Sequence, residues 1–269
     1  MPIETRVAAA NPSAGVLFSA RVRVPIAPMH AEPRIGSQMI SQQLSGHDVD
    51  VMDEEGDWVR ARGADAYEGW MHVGFLTRTQ SDAERRGAQS ACVSLGCVTQ
   101  TTAGDGRVLP LRALLTPEES AISGECVERH RLGERFPLDA AAITRSARIY
   151  FNSTSYLWGG VTPWGADCSG LAQSVFALHG FQLPRDAWQQ AELGVDAGRD
   201  VGEMRVADLL FFSDRADKRA THVGIALGDS QMVHLALGRG GYAVERLNDR
   251  HDAYVERLRD RFLFARRVL

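Results

Sequence analysis

One cysteine and two histidines in the second half of the chain have the residue types of a nucleophile and its base. Cys168 stands directly before LAQSVFALHG, a run with helical apolar spacing that ends at a glycine. The sequence therefore predicts that Cys168 opens a helix. The partial positive charge at a helix N-terminus favours the thiolate, which is the reactive form of cysteine.

The two histidines lie in THVGIALGDSQMVHLAL, a pattern that predicts two short strands joined by a GDS turn. A three-residue loop, 228–230, sets Leu227 opposite Gln231. This register places His222 and His234 on one face of the hairpin, whereas a two-residue loop would separate them. On one face, His222 can accept the thiol proton as a general base, and His234 can bond its other ring nitrogen.

Zinc binding is the alternative interpretation of one cysteine and two histidines. Zinc sites usually draw on closely spaced ligand pairs, and His222 and His234 do not form such a pair. We therefore predict no metal and no other cofactor. The other three cysteines are interpreted as small buried hydrophobic residues. They are Cys92, Cys97 and Cys126.

Composition excludes several classes of partner. The chain has 30 Lys+Arg and 34 Asp+Glu with no run of either sign, so it offers no basic face to nucleic acid or to an anionic membrane. No stretch reaches the roughly 20 apolar residues that span a bilayer. The first residues lack the pattern of a secretion signal, and the cysteines form no C-x-x-C pair. We expect a cytoplasmic protein that acts on a small, neutral or zwitterionic ligand.

The chain divides into three segments of different predicted structure. Between residues 22 and 76, short β-type runs alternate with polar or glycine-bearing turns, which predicts a small barrel or sandwich. The polar segment 78–90 is a connector, and shorter β-type runs follow it. After Pro137, LDAAAITRSARIYF has helical apolar spacing, so a new domain starts near residue 138. The predicted domains are 16–80, 85–137 and 138–269.

Motif order then points to a family. The runs YLWGG, ADCSG, LPRDAWQQ, ADLLFF and THVGIALGDSQMVH resemble the catalytic domain of the NlpC/P60 cysteine peptidases. The resemblance implies an α+β, papain-like core with Cys168 as nucleophile, His222 as base and His234 as the orienting residue. The segments VDVMDEEGDWVRAR and EGWMHV are similar to the closing strands of a bacterial SH3 (SH3b) domain. This similarity implies an SH3b domain over 16–80, and we interpret 85–137 as a degenerate second one.

The whole architecture resembles the γ-D-glutamyl-L-diamino acid endopeptidases that recycle or trim muropeptides. In those enzymes a tyrosine of the first SH3b domain closes the substrate site, and the matching residue is Tyr67. The resemblance implies that Asp167, Ser169 and the pair Arg185 and Asp186 surround the free amine of an N-terminal L-alanine. Asp167 is the expected carboxylate partner of that amine. The alternatives are that Asp167 and Ser169 only cap the helix and that Tyr67 is an ordinary loop residue.

Three functions remain open at this point. The first is hydrolysis of the bond between γ-D-glutamate and the diamino acid, through a thioester at Cys168. Its substrate would be a small muropeptide such as L-Ala-γ-D-Glu-diaminopimelate or its lysine analogue. The second is an amidase or acyltransferase on the same core, and the third is a catalytically silent protein that binds cell-wall fragments. The complete set of Cys168, His222 and His234 argues against the third.

Overall fold

The computed structural model describes residues 15–79 and 92–269, and an antiparallel sheet of seven strands forms its amino-terminal part. Its strands are β1 (Phe18–Val22), β2 (Ile26–His30), β3 (Met39–Leu44), β4 (Asp48–Glu55), β5 (Trp58–Arg62), β6 (Glu68–His72) and β7 (Leu76–Thr79). Their order in the sheet is β3-β2-β6-β5-β4-β1-β7. Buried residues alternate with half-exposed ones because successive side chains of a strand point to opposite faces. Val49, Val51 and Val59 belong to the resulting core.

A three-stranded antiparallel sheet follows and contacts both neighbouring parts of the molecule. Leu109 packs with Leu44 of the first sheet, whereas Leu95 and Leu111 join the core of the carboxyl-terminal part. The predicted unit 85–137 includes these strands, but its first residues lie outside the described part of the chain, as does most of the predicted connector. Its identity as a second SH3b domain stays a prediction. The strands are β8 (Cys92–Thr101), β9 (Gly106–Leu114) and β10 (Glu119–Glu128), in the order β10-β8-β9.

The carboxyl-terminal part is a six-stranded antiparallel sheet with helices packed against it. The helices are α1 (Leu132–Arg135), α2 (Ala140–Tyr150), α3 (Cys168–Leu178), α4 (Ala187–Gln190) and α5 (Ala253–Asp260). The sheet strands are β13 (Val195–Gly198), β14 (Leu209–Phe212), β15 (His222–Gly228), β16 (Gln231–Ala236), β17 (Gly241–Arg246) and β18 (Phe262–Arg267). Their order is β13-β18-β14-β15-β16-β17, and a small hairpin, β11 (Val161–Thr162) and β12 (Gly165–Ala166), precedes α3. An all-β unit before an α+β unit is the predicted fold class.

Helix α3 is the element that ties the sheet to the catalytic cysteine. Its apolar residues Leu171, Val175 and Phe176 are at most 1% exposed and pack with Val223 and Ile225 of β15. This face fixes the start of the helix against the sheet strand that carries the first histidine. None of the helices in the described ranges has the length and apolar character needed to cross a membrane.

Candidate active site

Cys168 is the first residue of helix α3, as the sequence predicts. Asp167 caps the helix, and its Oδ1 accepts a hydrogen bond of 2.8 Å from the backbone N–H of Gly170. Gly170 allows the helix to approach the loop before it, because a Cβ at this position would overlap the carbonyl oxygen of Gly160. The helix cap and the close contact between Gly170 and Gly160 together fix the position of Cys168.

The Cys168 thiol is buried, which reverses the expected direction of its pKa. Burial, and then the negative charge of Asp167, raise the pKa of the thiol to about 12. The backbone N–H groups of Val223 and Ser169 and the charge of Arg185 favour the thiolate but do not outweigh burial. This shift opposes the predicted activation of the thiol at the helix N-terminus. A base must take the thiol proton during the reaction.

His222 and His234 are hydrogen-bonded to each other, with His222 Nε2 2.8 Å from His234 Nδ1. The backbone N–H of Val223, the residue after His222, lies close enough to the Cys168 sulfur to favour the thiolate and lower its pKa. Burial, and then the nearby His234 and Arg261, hold the pKa of His222 well below its usual value. Both shifts favour the neutral forms, a thiol at Cys168 and an uncharged imidazole at His222.

The hairpin that carries the histidines has the predicted register but not the predicted loop. Ile225 lies opposite Val233, which is the register expected from a three-residue loop. The loop itself has two residues, Asp229 and Ser230, whose φ angles of 50° and 55° suit a type I′ turn. A bulge at Leu227 inserts one extra residue, and this extra residue restores the register.

A buried glutamate that the sequence did not indicate lies next to His234, on the side away from His222. Glu245 Oε1 lies 3.5 Å from His234 Nε2, and Arg239 binds the same carboxylate at 2.7 and 3.0 Å. A proton on His234 Nε2 facing this carboxylate leaves Nδ1 free to accept from His222 Nε2–H. The remaining nitrogen of His222, Nδ1, then keeps a lone pair that can accept a proton. No spacing in the sequence links Glu245 to His234, because the pairing of β16 with β17 brings them together.

Glu245→Gln is expected to lower kcat by roughly tenfold to a hundredfold with little change in KM. Glutamine keeps the size of the side chain but removes the charge that orients His234. Steady-state kinetics over a range of pH measure the effect, and Glu256→Gln, an exposed glutamate of α5, is the matched control. An unchanged kcat and pH profile in folded Glu245→Gln would contradict an orienting role.

Alkylation of Cys168 by iodoacetamide is expected to speed up about tenfold per pH unit through the neutral range, because the thiolate fraction grows in that way below the pKa. Peptide mass spectrometry at each pH measures the rate. His222→Ala should keep this slope, since the resting thiol carries its own proton. A rate that levels off below pH 7 would instead show a preformed thiolate and imidazolium pair.

Tyr67 reaches the cleft of Cys168 from the first sheet. Its hydroxyl donates to Asp186 at 3.2 and 3.4 Å, and Trp188 Nε1 donates to the same carboxylate at 3.2 Å. Burial, and then the charge of Asp186, raise the pKa of Tyr67 to about 12, so the phenol remains a neutral donor. The cleft has a volume of about 310 Å³. Its lining also includes Gln38 and Ile40 of the first sheet.

Asp167 already has a partner within the protein. Arg185 is 1% exposed and contacts both Asp167 oxygens, at 3.0 and 2.6 Å. Asp167 also accepts from the backbone N–H of Gly159 at 2.8 Å, and the Ser169 hydroxyl bonds both members of the ion pair. This geometry does not fit the prediction that Asp167 binds the substrate amine. Asp186 has acceptor capacity left and faces the cleft.

The predicted site residues fall into three groups. Cys168, His222 and His234, called the reacting row below, are the candidate catalytic residues, and Tyr67 and Asp186 line the cleft at Cys168. Arg185, Asp167 and Ser169 form a buried network that supports the start of α3. The described ranges, 15–79 and 92–269, hold no cluster of three or more His, Cys, Asp or Glu side chains arranged to bind a metal ion. Fold and site together define a hydrolase core with a cysteine nucleophile beside a strand-rich amino-terminal unit.

Comparison with known proteins gives the family. The model of the NlpC/P60 family matches residues 153–257, and that of the bacterial dipeptidyl-peptidase SH3 domain matches residues 29–74. The murein DD-endopeptidase MepS/murein LD-carboxypeptidase of Escherichia coli (strain K12) is 30% identical over 159 residues, which cover 57% of this chain and 79% of the relative. The chain belongs to the NlpC/P60 family and is a cysteine peptidase with an amino-terminal bacterial SH3 domain.

Two further relatives extend over more of the chain. The γ-D-glutamyl-L-lysine dipeptidyl-peptidase of Bacillus subtilis (strain 168) is 28% identical over 218 residues, 72% of this chain and 71% of that protein. The crystal structure of an NlpC/P60 family protein from Bacillus cereus ATCC 10987 has a TM-score of 0.77 and 19% identity. It covers 93% of this chain and 99% of that one, and it shares the fold. The predicted α+β class with a preceding SH3b unit is thereby confirmed.

Proposed function

We propose that the protein hydrolyses the bond between γ-D-glutamate and the diamino acid of muropeptides that carry a free N-terminal L-alanine. One observation carries the proposal: Tyr67 from the first sheet meets Asp186 at the cleft of Cys168 and places a carboxylate there. An ammonium group is the natural partner of such a carboxylate. The relatives named as γ-D-glutamyl-L-lysine dipeptidyl-peptidases support the same choice of bond.

The reaction is acyl transfer through a thioester. With the alanine amine on Asp186, the γ-carbonyl of D-glutamate lies at Cys168. His222 Nδ1 takes the thiol proton as sulfur attacks this carbonyl, and the same proton then goes to the departing amine of the diamino acid. Water, deprotonated by His222, next hydrolyses the thioester and releases L-Ala-D-Glu. His234 and Glu245 hold the orientation of His222 throughout.

Binding of the free alanine amine by Asp186 restricts the substrate to peptides that have been released from the cell wall. In intact peptidoglycan the alanine nitrogen is acylated by the lactyl group of the sugar, so it carries no charge and continues into the strand. Tyr67 and Asp186 would then face an uncharged amide nitrogen that carries the lactyl group and the sugar. We therefore propose a role in trimming or recycling free muropeptides, in the cytoplasm.

Product analysis tests this function. The purified protein is incubated with L-Ala-γ-D-Glu-L-Lys and with the diaminopimelate peptide, and mass spectrometry identifies the products. Release of L-Ala-D-Glu together with the free diamino acid is the expected result. Hydrolysis or transfer at another bond would identify an amidase or acyltransferase instead. Binding without any product would identify a silent wall-fragment binding protein.

A further inference from the structure

Arg219 places a positive charge at the wall of the cleft, near Asp217 but in no ion pair within the described ranges. Its guanidinium carbon lies 4.0 Å from the centroid of the Trp188 ring, and the side chain lines the same cleft as Cys168. The two other arginines of the lining are paired, Arg185 with Asp167 and Arg215 with Asp217. Within the described ranges, no carboxylate contacts the guanidinium of Arg219. Its charge is therefore available to a ligand.

Asp186 and Arg219 both contact the indole ring of Trp188, one at its edge and the other on its face. Trp188 donates its Nε1–H to Asp186 at 3.2 Å, and Arg219 stacks on the face of the same ring. The cleft thus presents one negative and one positive group, both held by the same tryptophan side chain. A zwitterionic ligand with the same separation of charges is complementary to this wall.

We propose that Arg219 binds the free α-carboxylate of the D-glutamate whose γ-carbonyl is attacked. The inference rests on the proposed function. In a γ-linked peptide the α-carboxylate takes no part in the chain and keeps its charge, and only one peptide unit separates it from the alanine amine. With that amine on Asp186 at the edge of the indole, the α-carboxylate comes to the face of the ring, where Arg219 lies.

An arginine stacked on an indole is suited to this task. A guanidinium binds a carboxylate through two parallel N–H donors. Because stacking on the indole already restricts the long arginine side chain, the side chain loses less conformational freedom when it binds a ligand. The carboxylates of diaminopimelate lie beyond the scissile bond, on the leaving group and farther from Asp186. Arg219 therefore selects γ-linked glutamate over ordinary α-linked peptides and over isoglutamine, in which the α-carboxylate is an amide.

The test compares two peptides and two variants. The peptides are L-Ala-γ-D-Glu-L-Lys and the same peptide with an α-amide on glutamate. The variants are Arg219→Gln and, as a matched control, Lys218→Gln, an exposed cation next to it that does not line the cleft. Arg219→Gln is expected to lower kcat/KM for the acid by roughly tenfold to a hundredfold, and for the amide by no more than about threefold. Lys218→Gln should match the parent on both.

A binding measurement distinguishes recognition of the α-carboxylate by Arg219 from simple packing of Arg219 on Trp188. Cys168→Ala protein should bind the product L-Ala-D-Glu more tightly than its α-amide by calorimetry, and Arg219→Gln in that background should remove the difference. An equal loss on acid and amide peptides would overturn the inference, because Arg219 would then act only by packing on Trp188. Failure of the parent enzyme on every peptide would instead refute the proposed function, and the inference with it.

Discussion

Cys168→Ala is expected to abolish peptide hydrolysis while the protein remains folded. The substitution removes the nucleophile and leaves the cap at Asp167 in place, so a loss of at least about four orders of magnitude in kcat is expected. His222→Ala should have a comparable effect, because the thiol of Cys168 keeps its proton without a base. The measurements are kcat/KM on a free tripeptide and the midpoint of thermal unfolding.

The control for this prediction is Cys97→Ala, which removes a second buried thiol from β8 of the middle sheet. It should leave the rate unchanged. His234→Ala should retain more activity than His222→Ala, since an orienting residue does not itself accept the thiol proton. Equal losses for all three members of the row would also agree with the mechanism, because such groups act as a unit. Substantial turnover by pure Cys168→Ala or His222→Ala would refute it.

N-acetylation of the substrate is expected to lower kcat/KM by about two to three orders of magnitude. The acetyl group removes the charge that pairs with Asp186, and truncating one partner of such a pair costs about 2 to 5 kcal/mol. It also adds volume where Tyr67 meets Asp186. At about 1.4 kcal/mol per factor of ten, these effects give the stated loss in assays of the free and the acetylated tripeptide.

Variants at two positions, Asp186 and Tyr67, show which residues distinguish the free amine from the acetylated one. Asp186→Asn removes the negative charge but keeps a side chain that can cap the start of α4. It should therefore lower kcat/KM for the free peptide and hardly change kcat/KM for the acetylated peptide. Tyr67→Ala should open the cleft and weaken the preference, whereas Tyr67→Phe keeps the ring. Digestion of insoluble peptidoglycan as fast as the free tripeptide would show that the assignments of Tyr67 and Asp186 are wrong, although the role of Cys168 would stand.

The reacting row could be predicted because its signals are local. The apolar period after Cys168 predicts a helix start, and two short strands around a turn predict that His222 and His234 share a face. The loop prediction failed because nothing in the residue types marks the bulge at Leu227. The register was right because the bulge and the shorter loop compensate.

The charges of the site could not be predicted from local pattern. Asp167 is taken by Arg185, 18 positions away in sequence, and this pair depends on burial that no spacing reveals. Glu245 meets His234 only through the pairing of two strands. The direction of the Cys168 pKa likewise depends on how deeply the start of α3 is buried, which competes with the field of the helix. The predicted domain boundaries remain predictions.

An affinity label tests whether Cys168 attacks the γ-glutamyl carbonyl of a peptide that is recognised by its free amine. The label is L-Ala-D-Glu in which a chloromethyl ketone replaces the γ-amide, and peptide mass spectrometry locates the adduct. We expect rapid alkylation of Cys168 alone, with Cys92, Cys97 and Cys126 unmodified, and slow reaction with the N-acetylated label. Alkylation of the other cysteines at a similar rate, or equal reaction with both labels, would contradict the account.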